Sequence, residues 1–368
     1  MLKSKPEEVC DKFFAGHFKK NSINTVLSKE EFSSIVKTAT EIYKGFLSSL
    51  VKLSTFKKVV FITDIHGCYE GFKLICDKYY KPDVLFVILG DLIDRGDASA
   101  EIFAVVLSMI IVYQNVLYLR GNHETQTIQI NCSKHKRNLS YWVYWNYHDD
   151  MKKWDPFKAY KKFKLLKQIY KFFGQLPYTL FVDGIFCIHG GLVKGFKKID
   201  DYKTLERTRQ IYNLSKELQA IWNDPLPWWT KDFKDNSDRC PYAKFFGKKA
   251  TKEFKENNEK LQLILKGHTR FFWRNDVDFE KINGFFKCHG DVVLTFESCF
   301  NAEKHLDEKI QTPGCVVIKD GKMITLNTFY KKIYKEYNSE GLIDSEYVEG
   351  GNNEKWIFNE NVHSINLT

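Results

Sequence analysis

Between residues 59 and 119 the chain alternates short, wholly apolar runs with longer stretches of mixed character. Val59-Val60-Phe61-Ile62, the run from Val84 to Leu89 and Val116-Leu117-Tyr118-Leu119 are too short for helices and rich in β-branched and aromatic residues. They predict strands buried on both faces. The stretch from Ile102 to Tyr113 predicts a buried helix, so the order strand, helix, strand, helix, strand gives the rhythm of a mainly parallel, doubly wound sheet. Further strands are predicted at 184–188, 261–265, 291–296, 314–319 and 322–327, the last two joined by an Asp320-Gly321 turn. Residues 195–260 read as helices and loops.

The ends of the chain have other textures. Ser28-Lys29-Glu30-Glu31 before Phe32, Ile35 and Val36 is a helix-start signal, and residues 1–55 are expected to form a helical segment on the main domain, with no linker between. From 131 to 160 the chain is polar and aromatic, with Tyr141-Trp142-Val143-Tyr144-Trp145-Asn146-Tyr147 at its centre. That density suits an aromatic helix packed on the domain, or a surface that binds peptide or stacks bases. Residues 331–368 read as a polar, partly acidic tail with little order.

Composition narrows the class. Apolar residues make up 43% of the 368 and charged ones 28%, which excludes a disordered chain and allows a sizeable core. The net charge of +10 raises nucleic acid as a partner, but the lysines are scattered without a basic run, so no dedicated nucleic-acid site is expected. A positive field also suits a phosphorylated substrate. Nine cysteines without a Cys-x-x-Cys pair, and an opening without a secretory pattern, read as free thiols in the cytoplasm or nucleus. Ile102–Tyr113, the longest apolar run, is too short for a bilayer, so no membrane partner is expected.

The chemistry sits where the strands stop. The first runs into Asp64-Ile65-His66-Gly67, whose acid and imidazole are two residues apart and share one side of an extended backbone. The second ends in Gly90-Asp91-Leu92-Ile93-Asp94-Arg95-Gly96 and the third in Arg120-Gly121-Asn122-His123-Glu124. His189-Gly190-Gly191 and Gly267-His268-Thr269 repeat the arrangement. Ligands of open α/β sheets bind beyond the carboxyl ends of the strands. Mixed oxygen and nitrogen donors suit Mn, Fe or Zn, and two such ions about 3.5–4 Å apart can activate water and clamp phosphoryl oxygens.

This ordered set of motifs resembles the calcineurin-like metallophosphoesterases, and within them the serine/threonine phosphoprotein phosphatase (PPP) family. Asp94-Arg95-Gly96, the run from Leu119 to Glu124, His189-Gly190-Gly191-Leu192 and Ile221-Trp222-Asn223-Asp224-Pro225 carry the narrower match, which extends over roughly residues 30–330. The resemblance implies an α/β/β/α sandwich of two mixed sheets flanked by helices, with a catalytic domain over 56–330 and an atypical insertion at 131–160. It implies one metal held by Asp64, His66 and Asp91 and another by Asp91, Asn122, His189 and His268. A hydroxide bridging the two would attack phosphoserine or phosphothreonine in line. His123, oriented by Asp94, would be the general acid, while Arg95 and Arg239, with Asn122, would hold the phosphate. Phosphoprotein substrates and regulatory subunits are the partners it implies.

Gly267-His268-Thr269-Arg270 lacks the second histidine of the Gly-His-x-His found in nucleases of this superfamily, which favours the PPP branch. Hydrolysis of diadenosine polyphosphates or RNA ends is the alternative. A catalytically silent scaffold would have no need of so many ligand positions. Three departures from the family pattern stand out. Thr63 replaces a glycine, the 295–302 stretch has no tyrosine, and Cys240 follows Arg239 in place of glycine. The first is expected to be tolerated; the others put substrate contacts, inhibition by natural toxins and the aim of Arg239 in question.

Overall fold

The structure is a computed structural model. It describes residues 3–131 (except 55), 138–148, 154–211, 213–269, 280–282, 285–298 and the strand segments 314–319, 323–331, 333–337, 343–348 and 356–366. Three helices, α1 (Lys5–Phe14), α2 (Ile23–Val26) and α3 (Lys29–Lys44), precede β1 (Leu50–Lys52). The doubly wound part follows as β2 (Lys58–Ile62), α4 (Tyr69–Tyr79), β3 (Leu85–Ile88), α5 (Ser99–Tyr113) and β4 (Val116–Tyr118). Helices α6 (Gln126–Asn131), α7 (Leu139–Tyr147), α8 (Pro156–Lys162) and α9 (Lys164–Phe173) lead to β5 (Thr179–Val182) and β6 (Ile185–Ile188). Next come α10 (Ser215–Trp222), β7 (Asp224–Pro225), β8 (Phe233–Asp235), β9 (Lys244–Phe246), α11 (Lys248–Glu256) and β10 (Leu263–Lys266). The chain closes with β11 (Glu280–Ile282), β12 (Phe285–Cys288), β13 (Val293–Phe296), β14 (Gly314–Lys319), β15 (Met323–Lys331), β16 (Ile333–Tyr337), β17 (Ile343–Val348) and β18 (Trp356–Asn366).

Two mixed sheets form the centre, ordered β18-β15-β14-β2-β3-β4 and β1-β5-β6-β10-β13-β12-β11. In the first, β2, β3 and β4 run parallel, while β14 joins β2 antiparallel. Period-two geometry decides what each strand buries. Val59 and Phe61 of β2 face Leu180, Cys187, Leu263 and Leu294 of the other sheet in a shared inner core. Val60 and Ile62 turn outward to a helix layer built from α1, α3, α4, α5, α7 and α9. A third core joins Phe186 and Ile264 to Ala220, Ile221 and Phe254. The resulting layers are helix, sheet, sheet, helix, as the sequence predicts.

The N-terminal segment is an integral part of the outer core, because Val9, Phe13, Phe32 and Val36 are buried in it. Phenylalanine, unusually frequent at 30 of 368 residues, fills much of this layer, as in the Phe13–Phe72 and Phe103–Phe172 ring contacts. The capping signal is realised: Ser28 Oγ accepts from Glu31 N at 3.2 Å and Glu31 Oε2 accepts from Ser28 N at 2.7 Å. Ser28→Ala should therefore lower stability by about 1 kcal/mol in urea denaturation, with activity retained at moderate temperature. α5 is buried on nearly every side, and among the described residues no helix is long and apolar enough to cross a membrane.

The structure differs from the sequence reading beyond residue 330. Instead of a tail with little order, β16 and β17 form a hairpin and β18 pairs antiparallel with β15, continuing the first sheet at its edge. Asparagine and glutamate interrupt the alternation in Trp356–Asn366, which dilutes the strand signal, whereas β15 supplies a long edge whose backbone groups the last strand satisfies. The Asp320-Gly321 turn lies outside the described residues, although the β14–β15 pairing on either side is antiparallel. Within 131–160, α7 packs Leu139, Tyr141 and Val143 inward, the arrangement of an aromatic helix on the domain.

Candidate metal and phosphate site

The carboxyl ends of β2, β3 and β4 in one sheet and of β6 and β10 in the other converge. To turn so sharply there, the backbone adopts positive φ at Asp64, His66, Asp91, Asp94, Arg95 and His268, from 47° at His66 to 72° at Asp94. Such conformations are costly for residues with side chains and concentrate at functional sites. Bonds between loops hold them: His66 N donates to Asp91 O at 3.0 Å and Gly67 N to Leu92 O at 3.0 Å. Gly90, at φ 105°, and Gly121 touch so closely that a Cβ on Gly90 would stand 2.5 Å from the Gly121 backbone.

Asp91 is the central group. Its Oδ2 lies 3.6 Å from His66 Nε2 and its Oδ1 lies 3.4 Å from His189 Nε2. Asp64 Oδ1 is 3.8 Å from His66 Nε2, while Asn122 Oδ1 lies 3.0 Å from His189 Nε2 and 2.9 Å from His268 Nδ1. All six metal positions expected from the sequence are thus gathered and buried. Ligand atoms of Asp91, His189 and His268 fall within 4.8 Å of one another, and so do those of His66, Asp91 and His123. His66 Nδ1 faces Ile93 O and His189 Nδ1 faces Leu89 O, each at 3.0 Å. Those carbonyls require Nδ1–H and leave Nε2 with a lone pair aimed at the cluster.

The donor set fits metal ions. With its Nδ1–H engaged by Leu89 O, His189 turns its Nε2 lone pair to Asn122 Oδ1 at 3.0 Å, two acceptors whose repulsion a bound cation would offset. Burial and the neighbouring Arg239 charge hold the His268 pKa well below the ordinary imidazole value, in the neutral form a ligand needs. For Asp91, burial would raise the pKa, but its electrostatic and hydrogen-bond interactions with the imidazoles of His189, His123 and His66 outweigh it and hold the carboxyl well below its usual range.

His123 is positioned differently. Its Nδ1 lies 2.8 Å from Asp94 Oδ2, and its Nε2 lies 3.8 Å from Asp91 Oδ2 and 3.4 Å from Arg95 Nη2. Burial would lower its pKa, yet the Asp91 charge and the Asp94 hydrogen bond prevail and raise it. Arg239, a third exposed at its side chain, directs Nε to Asp224 Oδ2 at 2.9 Å. Asp224 also receives Asn236 Nδ2 at 3.0 Å and Thr269 Oγ1 at 2.6 Å, so the guanidinium has a fixed anchor despite Cys240.

Several supporting groups had no role assigned from the sequence. Thr63 Oγ1 donates to Asp64 Oδ2 at 2.7 Å, and His268 N donates to the same oxygen at 2.9 Å, so the threonine supports the ligand it precedes. Glu124 collects the N–H groups of Asp91, Leu92 and Gly121 and the Tyr118 hydroxyl, which ties the second and third loops together. Burial and the Asp91 charge push its pKa up to about 7. Buried Lys266 donates to Gly267 O at 2.6 Å and also reaches Thr269 Oγ1. Ser298 pairs with the Thr63 backbone, docking the start of the 295–302 stretch beside the site; residues 299–302 lie outside the described residues. A hydrophilic residue at a buried position leaves no periodic trace, so only Glu124, inside a motif, offered a signal.

The profile of calcineurin-like phosphoesterases matches residues 57–270, more than half of the chain and all of the converging loops. The chain belongs to that family. This phosphoesterase is 28% identical over 239 residues to a protein phosphatase 2A catalytic subunit of Dictyostelium discoideum, a match covering 64% of this chain and 70% of that one. It is 30% identical over 209 residues to the serine/threonine-protein phosphatase 6 catalytic subunit of Caenorhabditis elegans, covering 56% of each. Within the phosphoesterases, these relatives place it with the PPP phosphatases, the branch its motifs resemble. Its fold is that of a protein serine/threonine phosphatase from Saccharomyces cerevisiae, with TM-score 0.65, 19% identity and coverage of 91% and 90% of the two chains.

Proposed function

We propose that this phosphoesterase removes phosphate from phosphoserine and phosphothreonine in proteins, with His123 protonating the departing oxygen. The observation that carries the reading is the His123–Asp94 pair at 2.8 Å, set against a buried cluster of metal-type donors. Asp64, His66 and Asp91 would hold one ion, and Asp91, Asn122, His189 and His268 the other. When bound, two such ions supply water of lowered pKa and neutralise phosphoryl charge. The rest falls to the chain's own residues. Arg95 and Arg239 present guanidinium forks to the phosphoryl oxygens, with Asp224 orienting the second. Asp94 keeps the Nδ1–H tautomer of His123, so that Nε2 faces the site with the proton to be given.

The relatives' names support phosphoprotein substrates and a catalytic subunit that works with regulatory partners. The described cysteines are free thiols, which supports a reducing compartment, cytoplasm or nucleus. Side-by-side hydrolysis of a phosphothreonine peptide and diadenosine tetraphosphate by the manganese-loaded protein tests the reading. Faster release from the peptide is the expected result; preference for the dinucleotide would replace it with the alternative hydrolase.

A further inference from the structure

Gln129 lies fully buried on α6 and belongs to neither the metal nor the phosphate positions, yet both ends of its amide are committed. Its Oε1 accepts from Ser140 N at 3.1 Å and from Ser140 Oγ at 2.9 Å. A backbone N–H can only donate, so this contact fixes which way the amide points and turns Nε2 to the opposite side. There Nε2 donates to Asp94 Oδ2 at 2.6 Å and to His123 O at 3.2 Å.

The start of α7 completes the cradle. Leu139 N donates to Asp94 Oδ1 at 2.8 Å, and Asn138, which caps α7 by accepting from Tyr141 N at 2.8 Å, also donates through Nδ2 to Gln129 O at 3.0 Å. Ser140 Oγ lies 2.8 Å from Tyr170 OH, which ties the pair to α9. Asp94 therefore meets one donor at Oδ1 and two at Oδ2, in directions that fix the rotation of its carboxylate.

We propose that Gln129 is a positioning residue for the proton donor, and that α6 and the start of α7 are built around Asp94 to hold the aim of His123. The inference rests on His123 being the general acid. Without the Nε2 donor, Oδ2 keeps His123 as its one partner of the pair, the carboxylate can turn about its bond to Cβ, and the imidazole tilts with it. Misplacement of a catalytic group by about 1 Å can cost on the order of 10²-fold in rate.

Gln129→Met tests this with little change of volume, since a thioether that cannot donate then faces Asp94 where a donor stood. Rates are compared on a phosphothreonine peptide, whose alkoxide must be protonated, and on 2,4-dinitrophenyl phosphate, whose leaving group departs without a proton. The peptide rate should fall by about 10²-fold and the dinitrophenyl rate by less than about twofold, with metal content unchanged. The downfield proton resonance of the Nδ1–H bond to Asp94 should disappear through exchange. Ser140→Ala, a milder change that removes one of the two donors fixing the amide, should show the same selectivity at about 3- to 10-fold and decides the matter if the methionine variant does not fold. An equal fall on both substrates, or no fall on the peptide, overturns the proposal. His123→Asn measured alongside separates the two readings: if it lacks the leaving-group selectivity, the general-acid assignment fails and the proposal with it. If it shows the selectivity and both supporting variants do not, the positioning role alone is wrong.

Discussion

Asp91→Asn is expected to reduce phosphate release by about 10³-fold or more and to bring the metal content well below two ions per chain. The isosteric amide can still accept the backbone N–H of His123, which reaches Asp91 Oδ1 at 3.0 Å, so the loop should keep its path. What it loses is the one negative charge that faces His66 at 3.6 Å, His189 at 3.4 Å and His123 at 3.8 Å. In the proposed centre Asp91 would serve both ion positions, as its place in both candidate ligand groups suggests. Thermal unfolding should show a folded protein, and elemental analysis should show the missing ions. Full metal content with undiminished turnover would show that Asp91 holds neither ion.

The second large effect concerns proton transfer. His123→Asn should cut turnover on a phosphothreonine peptide by about 10²- to 10⁴-fold while leaving metal content nearly intact. Nδ1 of His123 is occupied by Asp94 at 2.8 Å, which is the arrangement of an oriented acid, although Nε2 is near enough to Asp91 for a ligand role to be geometrically open. Metal content decides between them. Loss of an ion in His123→Asn with turnover unchanged would make His123 a ligand and remove it from proton transfer. Asp94→Asn should follow His123→Asn, because the amide cannot replace the carboxylate that raises the imidazole pKa.

The legible parts of the fold were those whose pattern is local. Apolar runs of strand length marked β2, β3 and β6, and the polar residues that ended them marked the site, because a parallel sheet brings its strand ends together however distant they are in sequence. Ser28 and Glu31 formed the box their spacing predicts. The edge strand β18 was illegible because its partner β15, rather than its own composition, makes it a strand. Gln129 and Thr63 were illegible for another reason: a buried amide or hydroxyl has meaning only through the atoms it faces, and Asp94 lies 35 residues from the one that supports it. Arg239 shows the limit of motif matching. Its neighbour departs from the family pattern, yet Asp224, 15 residues away, gives the guanidinium its anchor.

The most direct test of a two-ion phosphatase centre is a metal titration in which bound manganese and phosphate release from a phosphothreonine peptide are measured on the same samples. Two ions per chain are expected in the wild type, with turnover rising as the second is bound, and neither full occupancy nor turnover in Asp91→Asn. Turnover complete with one ion bound, or two ions bound with no release of phosphate from peptide or nucleotide, would contradict it.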